Sequence, residues 1–208
     1  MIENVKHIDV GANSESIVIF GKGQLAIDIC DYLYSRGCSI IVVPVDPEPE
    51  WSPSLSRYCS ELNIPIVAWS EFVELKSIFD LGISVYFDRI FKEVHLNRFK
   101  LILNIHNSLL PKYRGVRPID WALANKEKEH GVTIHRVDLG IDTGAIYGQQ
   151  KFIIKSSDKA EVVYARCLEA AFELFSELFP KLDEIRPIEQ MHSLATYYSK
   201  EDYYRHLN

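Results

Sequence analysis

Cysteine is scarce in this sequence. The 208 residues hold four, Cys30, Cys38, Cys59 and Cys167, scattered and with no Cys-x-x-Cys pair. A zinc site would want closer ligand spacing, so no metal is expected and the four read as reduced, partly buried small hydrophobes; a reactive thiol is the other reading. Positive charge is also short. Lys and Arg total 23 against 29 Asp and Glu, a formal net charge of −6, which argues against a nucleic-acid partner held by a basic surface. No apolar run approaches the ~20 residues that span a bilayer, so no membrane partner is expected. The first stretch, Met1 to Asn13, is polar and lacks the apolar core of a signal peptide. The expected location is the cytoplasm. Low-complexity sequence is missing too: 47% of residues are hydrophobic and 25% charged, enough for a packed core. The length fits one domain with a small appendage, divided here as residues 1–185 and a tail, 186–208.

What is present begins with alternation. The apolar run Ser16 to Phe20 leads into Gly21-Lys22-Gly23 and a periodic stretch from Gln24 to Arg36 that stops at Gly37. This predicts a strand, a tight turn and a helix. Ser39 to Val45 is nearly all apolar, as a parallel strand covered on both faces should be, with Pro44 marking an early end or a sheet edge. Pro47, Pro49 and Pro53 predict a rigid loop. A helix over Ser54–Leu62, a short strand over Pro65–Val67, a helix over Ser70–Phe79 and a strand over Ile83–Phe87 follow. Alternation of this kind predicts an α/β fold with a doubly wound, mostly parallel sheet. Further strands are expected over Leu101–His106, Val132–Val137 and Ala145–Ile154, the last two forming an antiparallel or mixed edge. A long helix is expected over Lys159–Phe179, with Asp158 and Glu161 spaced as a capping box and Val163, Cys167, Ala170, Leu174 and Leu178 as its buried stripe. The Tyr-rich stretch from Ile188 to Asn208 carries no clear pattern.

The glycine turn invites a phosphate-site reading, because Ala26 stands where a dinucleotide fingerprint has its third glycine. The plainer reading is a turn that lets the helix pack closely on the sheet. The richer stretch is Leu101 to Gly144. Alternation along the strand puts Asn104 and His106 on one face, where the strand runs out into Asn107-Ser108-Leu109-Leu110-Pro111. In open α/β sheets ligands bind outside the carboxyl ends of strands. Downstream, Asp138 and Asp142 sit in a glycine-flanked loop between two strands. Either acid could simply support a turn, or a carboxylate could be delivered to His106, raising its basicity and fixing its orientation. An amide, an imidazole and a carboxylate suit attack by an amine on a carbonyl carbon.

The segment NIHNSLLPKYRGVRPIDWAL, followed by GVTIHRVDLGIDTG, resembles the folate-dependent formyltransferases. The shared pattern is Asn-x-His, a Ser-Leu-Leu-Pro loop and an Asp 36 residues after the His, here Asn104, His106, Ser108 to Pro111 and Asp142. The match is dense over residues 83–155 and weak elsewhere. The resemblance implies a Rossmann-like formyltransferase fold and 10-formyltetrahydrofolate as formyl donor. It implies that Asn104 binds the oxyanion, that His106 accepts a proton, and that Asp142 orients His106 and assists the leaving nitrogen. It places the pteridine against Tyr86, Arg89, Ile90 and Phe91 on one side and the 138–142 loop, with Asp138 and Ile141, on the other. Among the acceptors in that family the sequence looks most like the enzymes that formylate an amino deoxysugar on a nucleoside diphosphate, for bacterial surface polysaccharides. Its charge and length speak against tRNA, and Gln24 and the residues after Pro111 differ from glycinamide ribonucleotide transformylase. Substrate contacts are then expected from Ser108, Lys112, Tyr113 and Arg114, with Trp121, Tyr197 and Tyr198 as candidates for stacking on a base or for plain packing. A homodimer is a further expectation by analogy. A glycinamide ribonucleotide or other small-amine formyltransferase, formyltetrahydrofolate hydrolysis and a non-catalytic nucleotide-binding module are the competing readings.

Overall fold

The computed structural model describes residues 15–207, so the polar stretch Met1–Asn13 lies outside the described residues. The chain divides into two compact units, one ending at Asn104 and the other starting at Ile105.

The first unit opens with β1 (Ser16–Gly21), whose six residues are all buried. It pairs in parallel with β2 (Ser39–Pro44) on one side and β3 (Phe79–Val85) on the other. β4 (Phe99–His106) follows β3 in the strand order. Between the strands lie helices α1 (Gly23–Tyr34), α2 (Leu55–Glu61), α3 (Trp69–Glu74) and α4 (Glu93–Leu96). β2 is the edge of the ordered sheet and ends at Pro44, as that residue predicts. The turn from β1 into α1 needs glycine for space: a Cβ on Gly21 would stand 2.1 Å from the Val85 carbonyl oxygen. This close approach of β1 to the end of β3 leaves no room for a side chain at the start of the turn. Phe20 is fully buried among the rings of Phe72, Phe87, Phe91 and Phe99, at centroid separations of 5.0 to 5.9 Å and mostly edge-on. Each such ring pair adds ~0.5–1.5 kcal/mol beyond area burial.

Three expected boundaries shift. Pro65–Val67 is reduced to an isolated bridge between Ile66 and Val42. The helix expected to reach Phe79 stops at Glu74, and Phe79 instead opens β3. That strand ends at Val85 rather than Phe87. Gly82 lies inside it, where Ile102 and Phe99 crowd so close that a Cβ would stand 3.0 Å from Ile102.

The second unit continues from the end of β4. It contains β5 (Arg114–Gly115), α5 (Pro118–Ala124), β6 (Glu129–Arg136), β7 (Ile146–Ile153), α6 (Ala160–Leu178), β8 (Tyr197–Tyr198) and α7 (Lys200–His206). β6 and β7 are antiparallel, with a bulge at Ile134/His135. The strand order is β2-β1-β3-β4-β6-β7, a mixed α/β sheet whose last pair is antiparallel. β5 and β8 form a separate parallel pair. In α6, Val163, Cys167, Ala170 and Leu174 are buried, while Leu178 is half-buried. The expected capping box is not formed. Lys159 occupies the cap, and the Asp158 carboxylate instead accepts from the Lys155 N–H at 2.8 Å and pairs with Arg166. Cys30, Cys59 and Cys167 are buried and all four cysteines are free thiols. Among the described residues no helix is long and apolar enough to cross a membrane.

Candidate active site

Asn104 and His106 stand on β4 two residues apart, so the pleat sends both side chains to one face. Asn104 is half-buried and ends the first unit. The side chains that gather around His106 belong to the second.

The Ser108–Pro111 loop is fixed by Thr133, which is fully buried on β6. Its hydroxyl donates to the Ser108 carbonyl at 2.6 Å and accepts from the Leu110 N–H at 3.1 Å. Gln149 on β7 donates both to that hydroxyl and to the Leu110 carbonyl. The Ser108 hydroxyl closes the loop on itself through the Lys112 carbonyl. From there the chain runs beside the tail. Tyr113 N–H donates to the Thr196 hydroxyl, Arg114 N–H to the Thr196 carbonyl, and Val116 N–H to the Tyr198 carbonyl. Gly115 is required here, since a Cβ would stand 2.2 Å from the Tyr198 carbonyl oxygen.

His106 is buried. Its Nε2 is 2.8 Å from the carbonyl oxygen of Tyr113, an acceptor only, so Nε2 carries the proton and Nδ1 is the basic nitrogen. Nδ1 lies 3.6 Å from Oδ2 of Asp142, an ion-pair rather than a hydrogen-bond distance. The other oxygen, Oδ1, is 3.5 Å from His135 Nε2, while His135 Nδ1 faces the Arg136 carbonyl at 2.9 Å. Gly115 N–H donates to Oδ2 at 2.8 Å. Burial by itself pushes the Asp142 carboxyl up. His106, His135 and the Gly115 N–H outweigh it and hold the acid well below the usual carboxylate range. For His106 burial is the largest influence and holds the imidazole below its ordinary value, with Asp142 and the Tyr113 carbonyl acting in the opposite sense. Near pH 7 the site therefore holds a neutral imidazole beside a charged carboxylate, an arrangement that can take up a proton at Nδ1 and stabilise it there.

His135 is absent from the sequence-based residue set. The signal was available: alternation along Val132-Thr133-Ile134-His135 places Thr133 and His135 on one face, polar residues inside an apolar strand. The bulge at Ile134/His135, which sequence does not reveal, shifts the register at this ring.

The other expected contact residues divide. In the first unit Tyr86 follows β3 with φ of 55°, Arg89 pairs with Asp88 at 3.4 Å, Phe91 is buried against Phe20, and Ile90 is 72% exposed. In the second, Asp138 accepts from Gly140 N–H and the Thr143 hydroxyl, which braces the loop, while Leu139 and Ile141 are exposed. Ser108, Tyr113 and Arg114 are buried, and their polar groups are engaged within the unit. Tyr113 hydroxyl bonds Glu127 and Asn125, and Arg114 bonds Gln190. Of the four expected substrate contacts, Lys112 alone is exposed, paired with Glu127 at 3.4 Å. Trp121 is buried with Tyr198 stacked on it at 4.1 Å, so packing rather than a base covers that face; Tyr197 is exposed. Among the described residues no group of three or more His, Cys, Asp or Glu side chains is placed to hold a metal ion.

Residues 74–179 match the formyl transferase family. The chain is 32% identical over 184 residues to methionyl-tRNA formyltransferase of Thermodesulfovibrio yellowstonii, covering 81% of this chain and 60% of that protein. It is similar in structure to WlaRD, a sugar 3N-formyl transferase solved in the presence of dTDP and 5-N-formyl-THF, with a TM-score of 0.80, 29% identity, and coverage of 92% of this chain and 72% of that one. It is equally similar to the N-formyltransferase of Helicobacter canadensis, solved with folinic acid and dTDP-3-aminofucose, with a TM-score of 0.80, 31% identity, and coverage of 90% and 72%. The chain spans 60% of the length of the curated relative, and with the family match over half of its own residues it belongs to the formyl transferase family.

Proposed function

We propose that this chain is an N-formyltransferase that moves the formyl group of 10-formyltetrahydrofolate to the amine of a nucleotide-linked amino deoxysugar. The observation that carries the transfer chemistry is the buried His106–Asp142 pair at the end of β4, with the basic nitrogen of the imidazole turned to the carboxylate. In this reading the acceptor amine attacks the formyl carbon. The Asn104 amide donates to the oxyanion that forms, an interaction whose loss costs ~10²–10³ in turnover in other enzymes. His106 Nδ1 takes the amine proton, and Asp142 stabilises the resulting imidazolium and assists return of the proton to the departing folate nitrogen. In the second unit the exposed apolar side chains of Leu139 and Ile141 suit contact with a flat heterocycle. Residues 1–185 carry this chemistry. The tail from residue 186 supports it by pairing with β5.

The sugar acceptor is supported by the two solved relatives above, whose likeness extends over 90% or more of this chain. A second reading, an aminoacyl-tRNA acceptor, is favoured by the curated relative. The test is to incubate the protein with 10-formyltetrahydrofolate and, separately, dTDP-, UDP- and GDP-linked amino sugars, glycinamide ribonucleotide, methionyl-tRNA or no acceptor. Formylation of one amino sugar is expected. Transfer to methionyl-tRNA alone transfers the assignment to that acceptor, donor consumption without acceptor indicates hydrolysis, and no consumption refutes the enzyme reading.

A further inference from the structure

We propose that Gln190 is a positioning residue for this site: its buried amide holds the Asp142 loop so that the carboxylate stands between His106 and His135. The inference rests on the function proposed above for its kinetic consequence, but not for its geometry.

Asp142 has φ of 54°, a left-handed conformation that a non-glycine residue keeps only when its surroundings impose it. The restraint comes from two directions. Gly115 N–H on β5 fixes the carboxylate. Gln190 fixes the backbone: its Nε2 donates to the Asp142 carbonyl at 2.9 Å and to the Gly144 carbonyl at 2.8 Å. At the opposite end of the same amide, Oε1 accepts from Arg114 Nε at 3.1 Å and Nη2 at 2.6 Å. Arg114 is the chain neighbour of Gly115. A single side chain therefore ties the strand that supplies the N–H donor to the loop that supplies the carboxylate.

The amide orientation follows from its partners. Exchanging oxygen and nitrogen would set the oxygen against two carbonyls and the nitrogen against a guanidinium, so the arrangement has one satisfied solution. Both donor hydrogens and both acceptor sites are used, and the residue is only 5% exposed. Arg114 correspondingly acts as the anchor of the amide rather than as a contact for substrate.

The consequence lies at the far end of the loop. If Asp142 drifts, the distances to both imidazoles change together. A misplacement of about 1 Å at a reacting group costs on the order of 100-fold.

Two neutral variants test this. Gln190→Met keeps the length of the side chain and removes all four bonds. Gln190→Asn keeps the amide but is one methylene short and folds with less disturbance. In the formyl-transfer assay each should lower kcat by roughly 10- to 100-fold with KM for the folate within about twofold. Without substrate, an NMR pH titration should find the His106 midpoint moved to lower pH in either variant, because the carboxylate that supports its protonation is no longer held in place. Unchanged kcat and an unchanged His106 midpoint, with only a lower Tm, would show that Gln190 packs the tail and nothing more, and would overturn the proposal. If the wild-type protein transfers no formyl group to any acceptor, the function proposed above fails. The His106 midpoint then decides the role of Gln190 alone, a fall supporting it and no change overturning it.

Discussion

His135 Nε2 stands 3.5 Å from Asp142 Oδ1, the carboxylate oxygen that His106 does not face. Two imidazoles thus share one carboxylate, and each has its other ring nitrogen directed at a backbone carbonyl. His135 has no place in the Asn-x-His and Asp pattern, yet it helps keep Asp142 ionised inside the protein. His135→Asn should therefore lower kcat by about 10-fold, below the ~10²–10⁴ that general acid–base help supplies, with KM little changed. Steady-state kinetics that find kcat unaffected would remove His135 from the site.

The His106–Asp142 pair predicts the acid side of the pH–rate profile. The imidazole is held below its ordinary value of 6.5, so activity should rise with pH through a midpoint on the acid side of 6.5 and be level near neutrality. Asp142 favours the protonated imidazole. Asp142→Asn removes that influence, so the midpoint should move further to acid while the plateau falls by ~10² or more. His106→Ala should lower the plateau by ~10²–10⁴ and abolish that limb. A profile of kcat/KM measured from pH 4.5 to 8.5 on the three proteins checks both. A limb that stays in place in His106→Ala belongs to another group.

How far the sequence carries depends on where the ordering information sits. β1, α1, β6 and α6 are legible because each has a local hydrophobic period that the core rewards. His106 and Asp142 are legible because a motif places them. The start of β3 is not, since Gly82 resembles a break and is explained only by Ile102 and Phe99 lying across it. β5 and β8 are least legible of all. Two-residue strands have no period, and Arg114–Gly115 becomes a strand only because Tyr197–Tyr198, some eighty positions away, returns beside it. Gln190 is hidden for the same reason: its four hydrogen bonds reach three residues, 46 to 76 positions distant.

His130 predicts a pH-dependent stability. It is buried on β6 with Nε2 lacking a hydrogen-bond partner, and burial holds its imidazole down to about 4. Below pH ~6.5 the unfolded chain takes up a proton here that the folded chain refuses until about pH 4. Stability is therefore fully present above 6.5 and falls between 6.5 and 4, by up to ~3 kcal/mol from this residue. His95 and His106 are also held low and add to the same slope, so the informative quantity is a difference. Urea unfolding across pH 4–8 should find a shallower acid loss in His130→Gln than in the wild type. Parallel curves would mean that His130 is already protonated in the folded protein.

Tyr198 and Tyr197 are neighbours with opposite roles, and substitution should separate them. Tyr198 is stacked on Trp121 at 4.1 Å and lies 5.8 Å from the Tyr113 ring, whereas Tyr197 is 52% exposed. Tyr198→Ala removes an aromatic ring from a half-closed cluster and should destabilise the protein by about 2–4 kcal/mol. Tyr197→Ala should cost about 1 kcal/mol or less. Because β8 holds β5, and β5 supplies the N–H that meets Asp142, the Tyr198 variant should also lose turnover at temperatures where it is still mostly folded. Denaturant midpoints and kcat measured on both variants decide the matter. Equal destabilisation would mean that the stack contributes little, and a Tyr197→Ala variant with an intact fold but a raised KM for the acceptor would instead assign the exposed ring to substrate.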